Sequence, residues 1–201
     1  MAMAMAMIQV NRGFSYLSLE MYENALQDFT QAISIDCSFG AAFVGRALVH
    51  VFHHCESGGA NDGANRAAVV HDLTEAVKLL SELIGVAAHD PSWWVYRAQA
   101  HRYLAAFNCR PGTQLFSFHQ KRMLKDVEEA LKLNPQLSAA LIEQGLQLLE
   151  LGRFREAQAD FQQALKLSPR STSPHDRACN RVDRCRRFVR AACFGRAVVV
   201  L

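Results

Sequence analysis

The chain has 201 residues, half of them hydrophobic and a fifth charged, with a net charge of +3. That length supports one sizeable core, the composition excludes a disordered chain, and no apolar run reaches the roughly 18 residues a membrane-spanning helix needs. The charge is unevenly placed, since residues 1–169 hold 14 Lys and Arg against 17 Asp and Glu, whereas residues 170–201 hold 8 Arg against 2 Asp.

In chain order, residues 1–5 belong to a low-complexity start, "MAMAMAM", with no Lys or Arg ahead of an apolar segment, unlike a secretory signal. The six cysteines, at 37, 55, 109, 179, 185 and 193, include no CxxC pair, and they are expected to be reduced thiols of a cytoplasmic protein. A helical pattern around Gly13 in "NRGFSYLSL" is followed by a second in "EMYENALQDFTQAISIDC" (20–37). The same succession recurs three times. Ala47 in "GRALVHV" precedes "VVHDLTEAVKLLS" (69–81), Ala98 in "WVYRAQAHRYL" precedes "RMLKDVEEALKLNP" (122–135), and Gly145 in "EQGLQLLEL" precedes "GRFREAQADFQQALKLSP" (152–169). Laid over one another, the second helices pair Ala25 with Ala157, Phe29 with Phe161 and Ala32 with Ala164, with Val127 and Ala130 or Leu73 and Ala76 in step. The unit is therefore a helix pair. Small residues let its two helices approach closely, Phe29, Leu73, Val127 and Phe161 fill the space between pairs, and proline ends the second helix by withholding a backbone donor.

The small residues lie 34, 51 and 47 positions apart from Gly13 to Gly145. The two longer units carry extra residues between their helices, at "HHCESGGANDGANR" (53–66) and around "NCRPGTQLF" (108–116), with more near "GVAAHDP" (85–91). Glycine, asparagine and proline mark these as loops, and the two intra-pair loops are expected on one edge of the array, either on a binding side or as tolerated surface slack.

This pattern resembles the tetratricopeptide repeat (TPR), a bulky residue, then Leu-Gly, Tyr, Ala, Phe, Ala and Pro across 34 residues. Residues 138–171 match best, at Leu141, Gly145, Leu148, Phe154, Ala157, Phe161, Ala164 and Pro169; residues 6–39 match at Gly13, Tyr16, Tyr22, Ala25, Phe29 and Ala32, with Cys37 for the proline. Residues 91–137 keep Trp94, Ala98, Ala130 and Pro135 but have His101 for the tyrosine, and residues 40–90 keep Phe43, Ala47 and Ala76. The resemblance implies an all-α, right-handed superhelical solenoid of four helix pairs over 6–171, followed by a basic tail, 172–201, with an amphipathic capping helix.

The family's concave groove is lined by outward positions of each first helix, here Val10, Phe14 and Leu17, Val44, Leu48 and Val51, Val95, Gln99 and Arg102, and Ile142, Leu146 and Leu149. Ten of the twelve are apolar. The subgroup that clamps acidic chaperone C-termini has Lys, Asn and Arg where this chain has Val10, Phe14, Gly45, Ser92 and Tyr96, so that activity is not expected. An apolar groove suits an amphipathic helix from a partner protein; equally, the chain fills the groove itself, or neighbouring helices bury these residues as core. The self-filling candidate is "RVDRCRRFVRAACFG" (181–195), where Val182, Cys185, Phe188, Val189, Ala192 and Cys193 form one helical stripe and Arg181, Arg184, Arg187 and Arg190 lie largely off it. That helix either caps the array with its arginines in water or touches an acidic membrane surface or nucleic acid. With no earlier cap and no fifth repeat, the chain is also consistent with a shortened product of a longer array.

No catalytic set emerges. His89, Asp90 and Ser92 in "HDPSWW" read as a helix start, and "SGGANDG" (57–63) has no Lys to make a phosphate loop. His50, His54 and Cys55, with Cys109 and His119 at the other insertion, would have to meet across loops to give zinc its four ligands, so no metal or other cofactor is expected. The expected function is a non-catalytic interaction adaptor, without a small-molecule substrate; the alternative is an adaptor acting through the arginine-rich tail.

Overall fold

The computed structural model describes residues 2–56 and 63–167, and among them the chain is entirely helical apart from turns. Eight helices, α1 (Ala2–Ser18), α2 (Tyr22–Ile35), α3 (Gly40–Glu56), α4 (Gly63–Val86), α5 (Pro91–Asn108), α6 (Gln114–Leu133), α7 (Ser138–Glu150) and α8 (Phe154–Leu167), pack as four successive pairs. Each second helix also leans on the next first helix, and the first helices touch one another, giving a right-handed superhelical array. The expected C-terminal amphipathic helix lies outside the described residues.

Close approach is enforced at glycine. A Cβ on Gly45 would sit 2.2 Å from the ring of Phe29 and one on Gly13 would sit 3.0 Å from it, so Phe29 of α2 is held between α1 and α3. Phe161 stands against Gly145 in the same way, 2.7 Å from the position of a Cβ there. The alanines at 25, 32, 47, 76, 98, 130, 157 and 164 are all buried. One core runs from α1 to α5, and the fourth pair is joined through smaller clusters, one of them Leu141, Ile142, Leu146 and Ala164.

Helix ends follow local chemistry. Asp90 accepts a hydrogen bond from the Ser92 backbone N–H (2.9 Å) with Pro91 in the first turn, and Thr113 accepts one from Phe116 (3.2 Å). At the ends of α2 and α6, Asp36 and Asn134 each accept from the backbone N–H two residues on, both at 3.0 Å. The turn at Cys37 therefore forms without a proline, because the aspartate side chain closes it.

The insertions differ from the loop expectation. Helix α3 continues to Glu56 and α4 starts at Gly63, so residues 53–56 and 63–66 are helical and only 57–62 lie outside the described residues. In the third pair the break between helices is limited to 109–113. The extra length is mostly helix: α4 has 24 residues and α6 has 20, against 14 in α2 and α8. Adding residues to an existing helix forms one backbone hydrogen bond per residue, which a loop does not.

Candidate interaction site

The first helices bring the expected groove positions into one line, and they are shielded. Val10, Phe14, Leu17, Val44, Leu48, Val51, Val95, Gln99, Ile142 and Leu146 are all buried, while Arg102 and Leu149 are partly exposed. Aromatic packing contributes. Phe14 meets Phe29 edge-on at 5.0 Å and stacks on Tyr96 of α5 at 5.6 Å, so the first and third pairs touch across the face. Burial pushes the Tyr96 hydroxyl up to about 12, with the Asp90 charge adding to it.

The two polar positions are spent within the chain. Arg102 Nε donates to Glu143 Oε2 at 2.8 Å, and Gln99 Nε2 donates to Glu143 Oε1 at 3.0 Å, joining α5 to α7. The Glu143 side chain is 2% exposed and that of Arg102 17%. Burial opposes the Arg102 charge, but the Glu143 carboxylate outweighs it and holds the guanidinium protonated. The face therefore offers no uncommitted cation to an acidic peptide at this point. Glu143 was not singled out by sequence; its signal was a lone carboxylate on an otherwise apolar helix face.

A second feature missed by sequence reading is an arginine–aspartate latch inside each of the first three pairs. Arg12 grips Asp28, Arg46 grips Asp72, and Arg97 grips Asp126, each through two hydrogen bonds of 2.7–2.9 Å. The arginine always precedes the small residue of the first helix, and the aspartate always precedes Phe29, Leu73 or Val127. These two columns are readable once the repeats are aligned. In the fourth pair the aspartate remains as Asp160, but Gln144 replaces the arginine. Asp160 Oδ2 is buried without a hydrogen-bond partner among the described residues, and burial, then Glu156, raises its pKa. Gln144→Arg is expected to stabilise the protein by about 1 kcal/mol, as a bidentate, partly solvated charge-assisted contact does; urea unfolding measures it, and an unchanged midpoint would show that the fourth pair does not use the latch.

The repeat-pattern residues occupy mixed environments. Phe29 is fully buried and Phe161 half-buried, Tyr16 and Trp94 are half-buried, and Pro135 is exposed. The neighbouring Trp93, not chosen from sequence, is the deeper of the two tryptophans and packs edge-on against Phe39 at 5.6 Å. Pro169 and the arginines at 181, 184, 187 and 190 lie outside the described residues, as do the side chains of His54 and Cys55. His119 pairs with His101, Nδ1 to Nδ1 at 3.0 Å, while Cys109 is buried and its thiol pushed up by that burial. Among the described residues no three His, Cys, Asp or Glu side chains converge as a metal would need. Nor, among them, is any helix long and apolar enough to cross a membrane.

Comparison with known proteins agrees with this geometry. The tetratricopeptide-repeat family matches at residues 8–36 and 138–171. A curated relative, sperm-associated antigen 1 of Mus musculus, is 25% identical over 178 residues, 79% of this chain. The chain spans 18% of that relative's length. Among solved structures, a thermophilic TPR protein of Thermus thermophilus superposes with a TM-score of 0.55 at 17% identity, covering 97% of this chain and 93% of that one. YrrB, described as a TPR protein with an unusual peptide-binding site, matches over 86% of this chain and 90% of its own, at 15% identity and a TM-score of 0.39. The chain thus carries matched tetratricopeptide repeats at residues 8–36 and 138–171 of one all-helical array, a repeat that generally serves protein–protein interaction.

Proposed function

We propose that this chain is a non-catalytic adaptor that receives an amphipathic helix of a partner protein against its apolar first-helix face, in a reducing, cytoplasmic setting. The observation that supports this reading is the makeup of that face: ten of twelve lining positions are apolar, and Arg102 and Gln99 are already engaged by Glu143. Such a surface rewards apolar side chains at helical spacing and gives little to an acidic peptide. Because the lining is buried, a partner engages it only in the fraction of molecules whose face is open, and the apparent affinity falls by that fraction.

The test uses a fluorescent, charge-balanced Leu/Glu/Lys amphipathic peptide titrated into the full chain. Binding is expected to change little with salt and to weaken in Leu149→Asp, a partly exposed lining position that the substitution leaves foldable. Stronger binding of an acidic peptide, falling steeply with salt, would overturn the reading in favour of electrostatic capture.

A further inference from the structure

The third pair holds the longest stretch of the chain without a carboxylate. Between Asp90 and Asp126 lie six Lys and Arg and no Asp or Glu, although residues 1–169 as a whole carry 14 Lys and Arg against 17 Asp and Glu. Arg97 and Arg102 are held by Asp126 and Glu143. The other four, Arg110, Lys121, Arg122 and Lys125, are exposed, and none of them forms an ion pair among the described residues. They surround apolar side chains that the array leaves open. Val127 takes the place of Phe29 and Phe161, yet α6 starts 13 residues before it, whereas α2 and α8 start 7 before theirs. On these added turns, which the shorter helices of the fourth pair do not cover, Leu115 is 47% exposed and Phe118 46%. The Phe118 ring is held in place, edge-on to His119 at 5.4 Å and to His101 at 6.4 Å, with the Arg122 guanidinium 5.4 Å above it. Helical spacing puts Leu115, Phe118, Arg122 and Lys125 on one side of α6, with Lys121 beside them.

We propose that this side of α6 docks an acidic segment of another protein, one with an apolar side chain set among its carboxylates. Charge selects that occupant. Residues 170–201, with 8 Arg against 2 Asp, have the same sign as the patch and are repelled by it. An anionic bilayer is disfavoured because the same stripe turns acidic one turn further on, at exposed Glu128 and half-buried Glu129, which a flat surface would meet as well. A short segment can end before them. The four cations give up no existing ion pair on binding, and the Phe118 ring, already fixed by its neighbours, has little side-chain freedom left to lose. This inference goes beyond the adaptor reading and does not rest on it, since it uses the outward side of α6 and not the first-helix face.

The experiment is fluorescence anisotropy of a short labelled Glu/Asp/Phe peptide titrated into the full chain. Binding is expected to weaken as salt rises, and to weaken about tenfold in Lys121→Glu with Lys125→Glu. Arg155→Glu with Lys166→Glu, which makes the same change of net charge at exposed positions of α8, should keep native affinity, and all variants should stay helical by circular dichroism. Leu115→Ser should bind more weakly, and a Glu/Asp/Gly peptide should be a poorer ligand of the native chain. Leu149→Asp, on the first-helix face, should bind the acidic peptide as the native chain does; loss there, with the α6 variant unaffected, overturns the proposal and places electrostatic capture on the first-helix face. Equal loss in the α6 and α8 double variants overturns it in favour of net charge, and undiminished binding in the α6 variant in favour of the tail arginines. Failure to bind the peptide overturns it as well; vesicles of mixed phosphatidylserine and phosphatidylcholine, or a second copy of the chain seen by sedimentation, are then the occupant if their binding is lost in the α6 variant.

Discussion

Glu143→Ala is expected to cost about 3–5 kcal/mol, the penalty for leaving a buried charge without its partner. The carboxylate holds Arg102 and Gln99 at once, and all three sit where α5 meets α7. Removing it leaves the Arg102 guanidinium, whose side chain is 17% exposed, over the Tyr103 ring with the Glu150 charge as its remaining carboxylate influence and too little water to replace two lost contacts. The joint is vulnerable because the large apolar core ends at α5, and α6, α7 and α8 are held by smaller clusters. In urea, the alanine variant should lose most of its midpoint, or lose α7 and α8 first as a separate transition. The double variant Glu143→Leu, Arg102→Met should recover most of the loss, since a buried ion pair is often no more stable than an apolar pair of similar volume. If the double variant is as unstable as the single one, the damage comes from packing around residue 143 and the ion-pair account is wrong. The double variant also makes the first-helix face more apolar still, so under the adaptor reading it should take the amphipathic probe at least as well.

The framework was legible because its physics is local and periodic. Helix pairs announce themselves by small residues at a fixed place, and Gly13, Ala98 and Gly145 do sit where another helix or a ring presses close. What sequence could not supply was pairing across distance. Glu143 and Arg102 are 41 positions apart, and Asp126 and Arg97 are 29, with irregular insertions between repeats that hide any constant separation. The insertions themselves were misjudged as loops because glycine and asparagine weigh against helix locally, while the hydrogen bonds gained by lengthening α3, α4 and α6 win. The groove positions show a further limit. A stripe of valine and leucine reads the same whether it faces a partner or is covered within the fold, and burial such as that of Val44, at 0% exposure, is a property of neighbours the stripe does not name.

Acidification is expected to destabilise the protein between pH 6.5 and 5 through the two histidines of the third pair. His101 on α5 and His119 on α6 share one hydrogen bond, Nδ1 to Nδ1 at 3.0 Å, in which one ring donates and the other accepts, so the accepting Nδ1 must be unprotonated. Protonating the accepting Nδ1 would set two N–H groups against each other, and a charge on either ring is opposed by burial. The surroundings add to this. Burial, helped by the His119, Arg97 and Arg122 charges, pushes His101 down to about 3 from the ordinary 6.5; burial also lowers His119 and, on α3, His50. Since these bases bind protons more readily in the unfolded chain, their contribution is complete above pH 6.5 and is lost as pH falls through that value towards the folded one. For His101 alone the loss at pH 5 is about 2 kcal/mol, and His119 adds to it. Asp126 and Asp160 work in the opposite direction, because burial raises both carboxyls and the fold takes up their protons more readily as pH falls. Urea midpoints at pH 7.5 and pH 5 read the net effect. Replacing the pair, as His101→Phe with His119→Leu, should flatten the difference between the two pH values; a double variant that keeps the full acid sensitivity of the native chain would place its origin elsewhere. His101 stands where the repeat pattern has tyrosine, a residue that does not titrate in this range, so the acid sensitivity of this array would follow from a position at which its third pair departs from the repeat.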